Sequence, residues 1–421
     1  MAFLSLFVSI FLFLSSLASA AITPPALPLS SSSRWILDAN GQRVKLRCTN
    51  WAGHMETNIP EGLQHQSIET IATWIADQGF NCVRLTYSTD HALHPATLLS
   101  ASFAAAASAA GAPLPDVLAL YDRVVANNPW ITPNTTTRDV FAATVDALYA
   151  RGVVTILDNH VSKAGWCCNL TDGNGWWDEA FGYNPWNSRY FKTREWLAGL
   201  QAMASWAQAH RGVVGMSLRN EIRAFLLQDF NGRADWYKFV KEAGDLVHAT
   251  HPDVLVIVGG VQSTTDLLHL RDGGRMLDTS GWRGKHVWEM HAYSFTVTFP
   301  DAFKNCDIVK VQYGAFVGFV LEQGKPYTGP LILSEFGVGM QGGEFNGLNE
   351  KDDRYLRCLV SYMENNDADW AVWAIQGDYY VRDKMTNAEE TWGLMNSNWT
   401  GWRNPAFPGM LRNMWKMTQQ P

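Results

Sequence analysis

The chain has 421 residues, with 33 Lys and Arg against 40 Asp and Glu and a formal net charge of −7. The two signs are mixed along its length, which argues against a nucleic-acid or anionic-membrane surface, since either needs a basic excess. A hydrophobic fraction of 47% and a charged fraction of 17% describe a globular protein with a large core. The length fits one barrel domain.

Residues 1–20 read as a secretory signal peptide: an apolar stretch from Phe3 to Leu14, then Ala18 and Ala20 in a small-residue cleavage pattern. Residues 21–33 are rich in Pro and Ser and carry no charge before Arg34, so a disordered linker is expected there. The domain proper is placed at 34–421. It opens with Arg34–Asp38, then Asn40-Gly41, then Val44–Cys48, a pattern that predicts a short N-terminal β-hairpin turning at Asn-Gly.

Eight short apolar runs follow: Leu46–Asn50, Cys82–Thr86, Val153–Asn159, Gly215–Arg219, Leu255–Gly259, Val287–His291, Leu331–Ser334 and Ala371–Ile375. Amphipathic stretches lie between them, among them Ser67–Gln78, Thr137–Ala150, Arg194–Ala209, Trp236–Ala249 and Asp353–Asn365. Gly79 and Gly152 stand where a left-handed residue would stop a helix before the next strand. Strand then helix, repeated with strands apolar throughout, predicts an α/β fold: a single (β/α)₈ TIM barrel. An open doubly wound sheet would show a Gly-rich phosphate turn after its first strand, and Asn50–His54 is no such turn. The Ala-rich insertion His94–Asp116 is expected to form a surface helix or a lid beside the cleft. No internal repeat or second domain is visible.

The six cysteines, Cys48, Cys82, Cys167, Cys168, Cys306 and Cys358, suggest disulfides in an exported chain. Their pairing stays open, and Cys82, inside an apolar run, also reads as a buried thiol. Asn134, Asn169 and Asn398 head Asn-x-Thr sequons. Nineteen Trp is a high count. Most are expected in the core, with several lining a cleft where flat rings stack on the C–H faces of sugars.

In a barrel, chemistry sits at the carboxyl ends of the strands. Those ends carry Arg84, Asp158-Asn159-His160, Arg219-Asn220-Glu221, His291-Ala292-Tyr293, Glu335 and Trp373. Two carboxylates on the fourth and seventh strands can face each other at the ~5–5.5 Å that suits a nucleophile and a proton donor at one glycosidic bond. The alternative for either Glu alone is a buried ion pair with Arg84 or Arg219. A metal-dependent hydrolase would more often show a His-x-His pair, and the chain has none.

The stretches DNHVSKAGWCC (158–168), DGNGWW (172–177), SLRNEIR (217–223) and LSEFGVG (333–339) resemble glycoside hydrolase family 5, the cellulase family A among retaining barrel hydrolases, and look like its plant and fungal branch. The resemblance spans Asn50 to Trp399. It implies that Glu221 is the acid/base and Glu335 the nucleophile, with Arg84, His160, Asn220, His291, Tyr293 and Trp373 in supporting positions. It implies a secreted, retaining enzyme that cleaves a β-linked polysaccharide, with a β-glucan or cellulose-like substrate favoured, as a monomer and without cofactor or metal. Ile222, where many members have Pro after the acid/base, departs from the pattern.

Trp51, His54, Glu56, Trp166, Trp176, Trp177 and Asp378 are candidates for outer sugar subsites. Asp172–Gly175 is read as a plain glycine turn rather than a calcium loop, since too few carboxylates accompany it. A non-catalytic carbohydrate-binding protein on the same fold is the competing function. Measured turnover separates the two.

Overall fold

The computed structural model describes residues 23–421 except 232, 273 and 296–304, so the expected signal peptide lies outside the described residues. Eight parallel strands close into a barrel: β3 (Arg47–Trp51), β4 (Cys82–Ser88), β5 (Val154–Val161), β6 (Val213–Ser217), β7 (Leu255–Gly259), β8 (His286–Ala292), β9 (Leu331–Phe336) and β10 (Asp369–Val372), with β10 pairing back onto β3. All eight expected strands are present, shifted by a few residues at most. The expected helices also form, at Ile68–Asp77, Thr137–Tyr149, Thr193–Ala207, Ala234–Thr250 and Glu350–Asn366. Gly79 and Gly152 hold φ of +86° and +79° just past two of them. Between β7 and β8 the expected repeat is incomplete. Among the described residues that connection carries no helical segment longer than four residues.

Strand alternation sorts the side chains. On β4, Cys82 belongs to the apolar cluster inside the barrel, while Val83, Leu85 and Tyr87 belong to the larger one under the helices. On β5, Val154 and Ile156 face inward and Leu157 outward. The inner cluster fills the lower barrel with Cys48, Cys82, Val154, Ile156, Val214, Leu255, Ile257, Val287 and Ile332. Cys48 and Cys82 are direct partners across β3 and β4 and form a disulfide, so of the two readings left open for Cys82 the buried thiol is set aside. The other bonds are Cys167–Cys168 and Cys306–Cys358.

The N-terminal hairpin is real but displaced. Its strands are β1 (Ser30–Ser32) and β2 (Trp35–Leu37). The Asn40-Gly41 turn forms, with Gly41 at φ +74°, yet beyond a single bridge from Leu37 to Arg43 the chain leads into the barrel. Residues 30–33, expected in a disordered linker, are therefore ordered. The physical reason is that Leu29 and Ile36 are buried in the inner cluster, so the hairpin plugs the barrel floor.

The Ala-rich insertion makes two helices, Leu99–Ala110 and Leu114–Asn127. It is a buttress rather than a lid. Phe103 packs edge-on against Tyr380 of β11 (Asp378–Arg382) at 5.1 Å. β11 pairs with β12 (Met385–Glu389) through a turn at Asp383 and Lys384, both at positive φ, in the manner of a two-residue hairpin loop. That hairpin stands at the rim of the barrel mouth.

Candidate active site

Above the apolar floor, the inward positions become charged. Arg84 follows Cys82 on β4, Asp158 and His160 follow Ile156 on β5, and Glu289 and His291 follow Val287 on β8. Arg84 is buried and holds the group together. Its Nη1 donates to Glu335 Oε1 at 2.7 Å and to Asn50 Oδ1 at 3.0 Å, and its Nη2 donates to Asn220 Oδ1 at 3.0 Å. Nη2 also pairs with Asp158 Oδ1 at 2.9 Å. Burial alone would lower the Arg84 pKa, but Asp158, Glu335 and Glu289 more than offset it, so the guanidinium stays charged.

Glu335, the penultimate residue of β9, has both oxygens engaged: Arg84 on Oε1 and the Tyr293 hydroxyl, donating at 3.1 Å, on Oε2. Burial and the neighbouring Glu221 push its pKa up, while His291 and Arg84 hold it down. Glu221 lies beyond the end of β6, in the loop that carries Asn220. Its backbone is in the left-handed region at φ +43°, uncommon for a residue with a side chain. Among the described residues no guanidinium reaches its carboxyl directly. Arg223 donates instead to its backbone carbonyl at 2.8 Å. Burial pushes the Glu221 pKa up to about 7, against the pull of Arg223 and Arg84. The direct cation lies on Glu335 and favours its ionised form, so of the two carboxyls Glu221 is the better placed to keep a proton.

His291 Nδ1 bridges the pair, 3.0 Å from Glu221 Oε1 and 3.6 Å from Glu335 Oε2. One oxygen of each carboxyl and this nitrogen all lie within 4.8 Å of one another. Burial lowers the His291 pKa, which keeps the ring neutral.

A second chain of contacts fixes Asn220. Arg84 can only donate, so Asn220 turns its oxygen to Arg84 and its NH₂ the other way. His160 Nδ1 sits 2.7 Å from Asp158 Oδ2, which leaves His160 Nε2 as the acceptor facing Asn220 Nδ2 at 3.4 Å. Burial holds His160 well below its usual pKa. Trp373 stacks on His160 at 5.3 Å, with planes 18° apart.

The open space above these groups is a cavity of about 440 Å³ lined by His160, Asn220, Glu221, Tyr293, Glu335 and Trp373. Thus the structure brings together both acidic residues and their expected supporting residues. The outer candidates divide. Trp166 lines the cavity, with the Arg382 guanidinium 3.6 Å from its ring centroid. His54 lies beneath the site, its ring 3.9 Å from that of His160 and its Nδ1 2.7 Å from Thr86 Oγ1. Glu56 packs under the turn at Gly165, and burial raises its pKa.

Four of the candidates are corrected. Trp51 is the outward residue of β3, buried under the helices with its indole N–H donated to the Glu61 carbonyl. Trp176 and Trp177 are fully buried, with Trp177 against Phe191, Trp196 and Phe239. Asp378 is buried and accepts from the Trp399 indole at 2.8 Å, with His65 at 2.8 Å, and so anchors β11. Asp172 is ion-paired to Arg223 and accepts backbone N–H groups within its own turn, as a glycine turn requires.

Sequence reasoning missed Asn50 and Glu289, although strand alternation with Arg84 and His291 pointed both inward. It also missed the far wall: Cys167, Cys168, Phe295, Arg382, Glu389, Glu390, Thr391 and Trp392. Those residues lie in loops and a hairpin that no periodicity announces.

The family model described as Cellulase (glycosyl hydrolase family 5) matches residues 37–378. A "Glycosyl hydrolase 5 family protein" of Chamaecyparis obtusa is 38% identical over 404 residues, covering 94% of this chain and 67% of that relative. The "Major extracellular endoglucanase" of Xanthomonas campestris is 24% identical over 424 residues, covering 94% of this chain and 73% of the relative. Among solved structures, an endocellulase from Pyrococcus horikoshii superposes with a TM-score of 0.69 at 18% identity, over 93% of this chain and 100% of its own. The catalytic domain of the Xanthomonas endoglucanase gives 0.67 at 19% identity, over 92% and 99%. With the family model spanning most of the chain and a conifer relative 38% identical over 94% of it, the chain belongs to glycosyl hydrolase family 5, the cellulase family, and is a glycosidase.

Proposed function

We propose that this glycosidase is a secreted, retaining endo-β-glucanase acting on a cellulose-like β-glucan by double displacement. One observation carries the mechanism: the carboxyls of Glu221 and Glu335 approach within 4.8 Å around His291. That spacing suits direct attack, because an inverting pair needs roughly 6.5–9.5 Å to admit a water molecule.

Glu335, ionised beside Arg84 and Tyr293, attacks the anomeric carbon. The C–O bond to the leaving sugar breaks as Glu221 gives that oxygen its proton. A glycosyl ester on Glu335 results. Glu221, now a carboxylate, takes a proton from water, whose oxygen attacks the same carbon and frees Glu335 with net retention. Neutral His291 hydrogen-bonds Glu221 through both steps. The Asn220 amide, held by Arg84, offers its N–H to the sugar 2-hydroxyl, and Trp373 forms the floor beneath the ring.

Endo action and a β-glucan substrate are supported by the endoglucanase names of the relatives. Secretion is supported by the leader-like residues 1–20 and by the relative named as extracellular. The test is a panel of soluble β-1,4-glucan, mixed-linkage glucan and mannan, followed by viscosity and by reducing ends. An endo-β-glucanase drops the viscosity of a glucan well before reducing ends accumulate. Equal pace of the two, or turnover of mannan alone, overturns the assignment.

A further inference from the structure

The Cys167–Cys168 bond joins neighbours in sequence. A disulfide stabilises chiefly by closing a loop in the unfolded chain, and here there is no loop to close. The other two bonds join positions 34 and 52 residues apart. Cys167 and Cys168 instead sit on the cavity wall, half-buried, in the turn that follows β5.

Their surroundings are those of the reacting groups. Both sulfurs lie 3.6 Å from Asn220 Nδ2, and both lie within 4.8 Å of a Glu221 carboxyl oxygen. Asn220 has committed its oxygen to Arg84 at 3.0 Å, so the two amide protons face His160 Nε2 at 3.4 Å and the sulfurs. Sulfur is a weak acceptor. It holds the amide in orientation yet gives way to a hydroxyl oxygen, which binds the same proton more strongly. The disulfide is also apolar and polarisable, suited to lie against the C–H face of a sugar.

We propose that the Cys167–Cys168 disulfide is a substrate-contacting wall of the subsite beside Glu221, packing on the sugar bound there and holding Asn220 in position for its hydroxyl. The inference rests on the reading of Glu221 and Glu335 as a glycosidase pair. It adds a specificity and positioning role for a pair of residues outside that machinery.

A double-mutant cycle on an aryl β-cellobioside tests it, comparing Cys167→Ala/Cys168→Ala, Asn220→Ala and the triple variant. The cysteine variant is expected to lose about tenfold in kcat/KM, the scale of one mispositioned hydrogen bond. The triple variant is expected to lose clearly less than the product of the two separate losses, because the part of the cysteine effect that acts through Asn220 is already gone. Fully multiplying losses would overturn the proposal, since a pair that only braces its loop acts independently of Asn220. Reducing the wild-type chain, with loss of this bond verified by peptide mapping, keeps the test open if the variants fold poorly. Activity should fall by the same factor and return on reoxidation, and unchanged activity contradicts the wall. A wild-type chain that turns over no β-glycoside sinks the glycosidase reading and this proposal together. Turnover with an additive cycle sinks this proposal alone.

Discussion

The lower and upper halves of the barrel interior are built from the same strands and obey opposite rules. On β4, the inward Cys82 is followed two residues later by the inward Arg84, and on β5 the inward Ile156 is followed by Asp158 and His160. Below, Val, Ile and Cys close-pack and the β1–β2 hairpin seals them. Above, one guanidinium faces Asp158, Glu289 and Glu335. Burial there pushes the pKa of Asp158, Glu221 and Glu335 up, against the pull of Arg84. The lower half gains stability from burial. In the upper half the same burial favours a proton on Glu221, while the Arg84 guanidinium favours the charged form of Glu335 against it.

The sharpest way to break this comparison is at the top. Glu335→Gln should lower kcat by about 10⁴-fold or more on every substrate, since it removes the attacking atom. Thermal unfolding should show the fold intact. A loss below about a hundredfold in steady-state rates would contradict its role. Glu221→Ala should cost about 10²–10⁴ on glucan. It should retain much of its rate on aryl glycosides with good leaving groups, which need no acid.

The same residue sets a pH limb. Its proton is present below about 7 and lost above, so kcat/KM should fall about tenfold per unit on the alkaline side. Replacing Glu221 should abolish that limb, and a limb unchanged in the variant would reassign the acid.

Effects on stability come next. Arg84→Met leaves buried carboxylates without their cation and should cost about 3–5 kcal/mol in denaturant unfolding. Ile257→Val, in the lower interior, should cost about 0.5–1.5 kcal/mol and leave kcat unchanged. A change in kcat there would mean that the two halves are not separable.

How far the sequence reached follows the same division. The eight strands were legible because parallel strands buried on both faces are apolar runs, and the acids were legible because they end two of those runs. Alternation, pursued strictly, would also have turned Trp51 outward and Asn50 inward. Trp176 and Trp177 misled because a Gly- and Asn-rich setting looks like a solvent loop, whereas here Trp177 nails that loop onto Trp196 and Phe239. The ordering of Ser30–Ser32 was invisible because it depends on two apolar residues, Leu29 and Ile36, meeting a barrel floor assembled from all eight strands. The rim residues Arg382, Glu389 and Trp392 were likewise set by the placement of a hairpin, which local pattern does not encode.

The proposed double displacement requires a covalent sugar on Glu335. An aryl 2-deoxy-2-fluoro-β-cellobioside slows release of that ester, and mass mapping of the labelled chain reads where it forms. One added fluorocellobiosyl group on the peptide that contains Glu335 is the predicted result. A label on Glu221, or no label while an α-configured product is released, would contradict it.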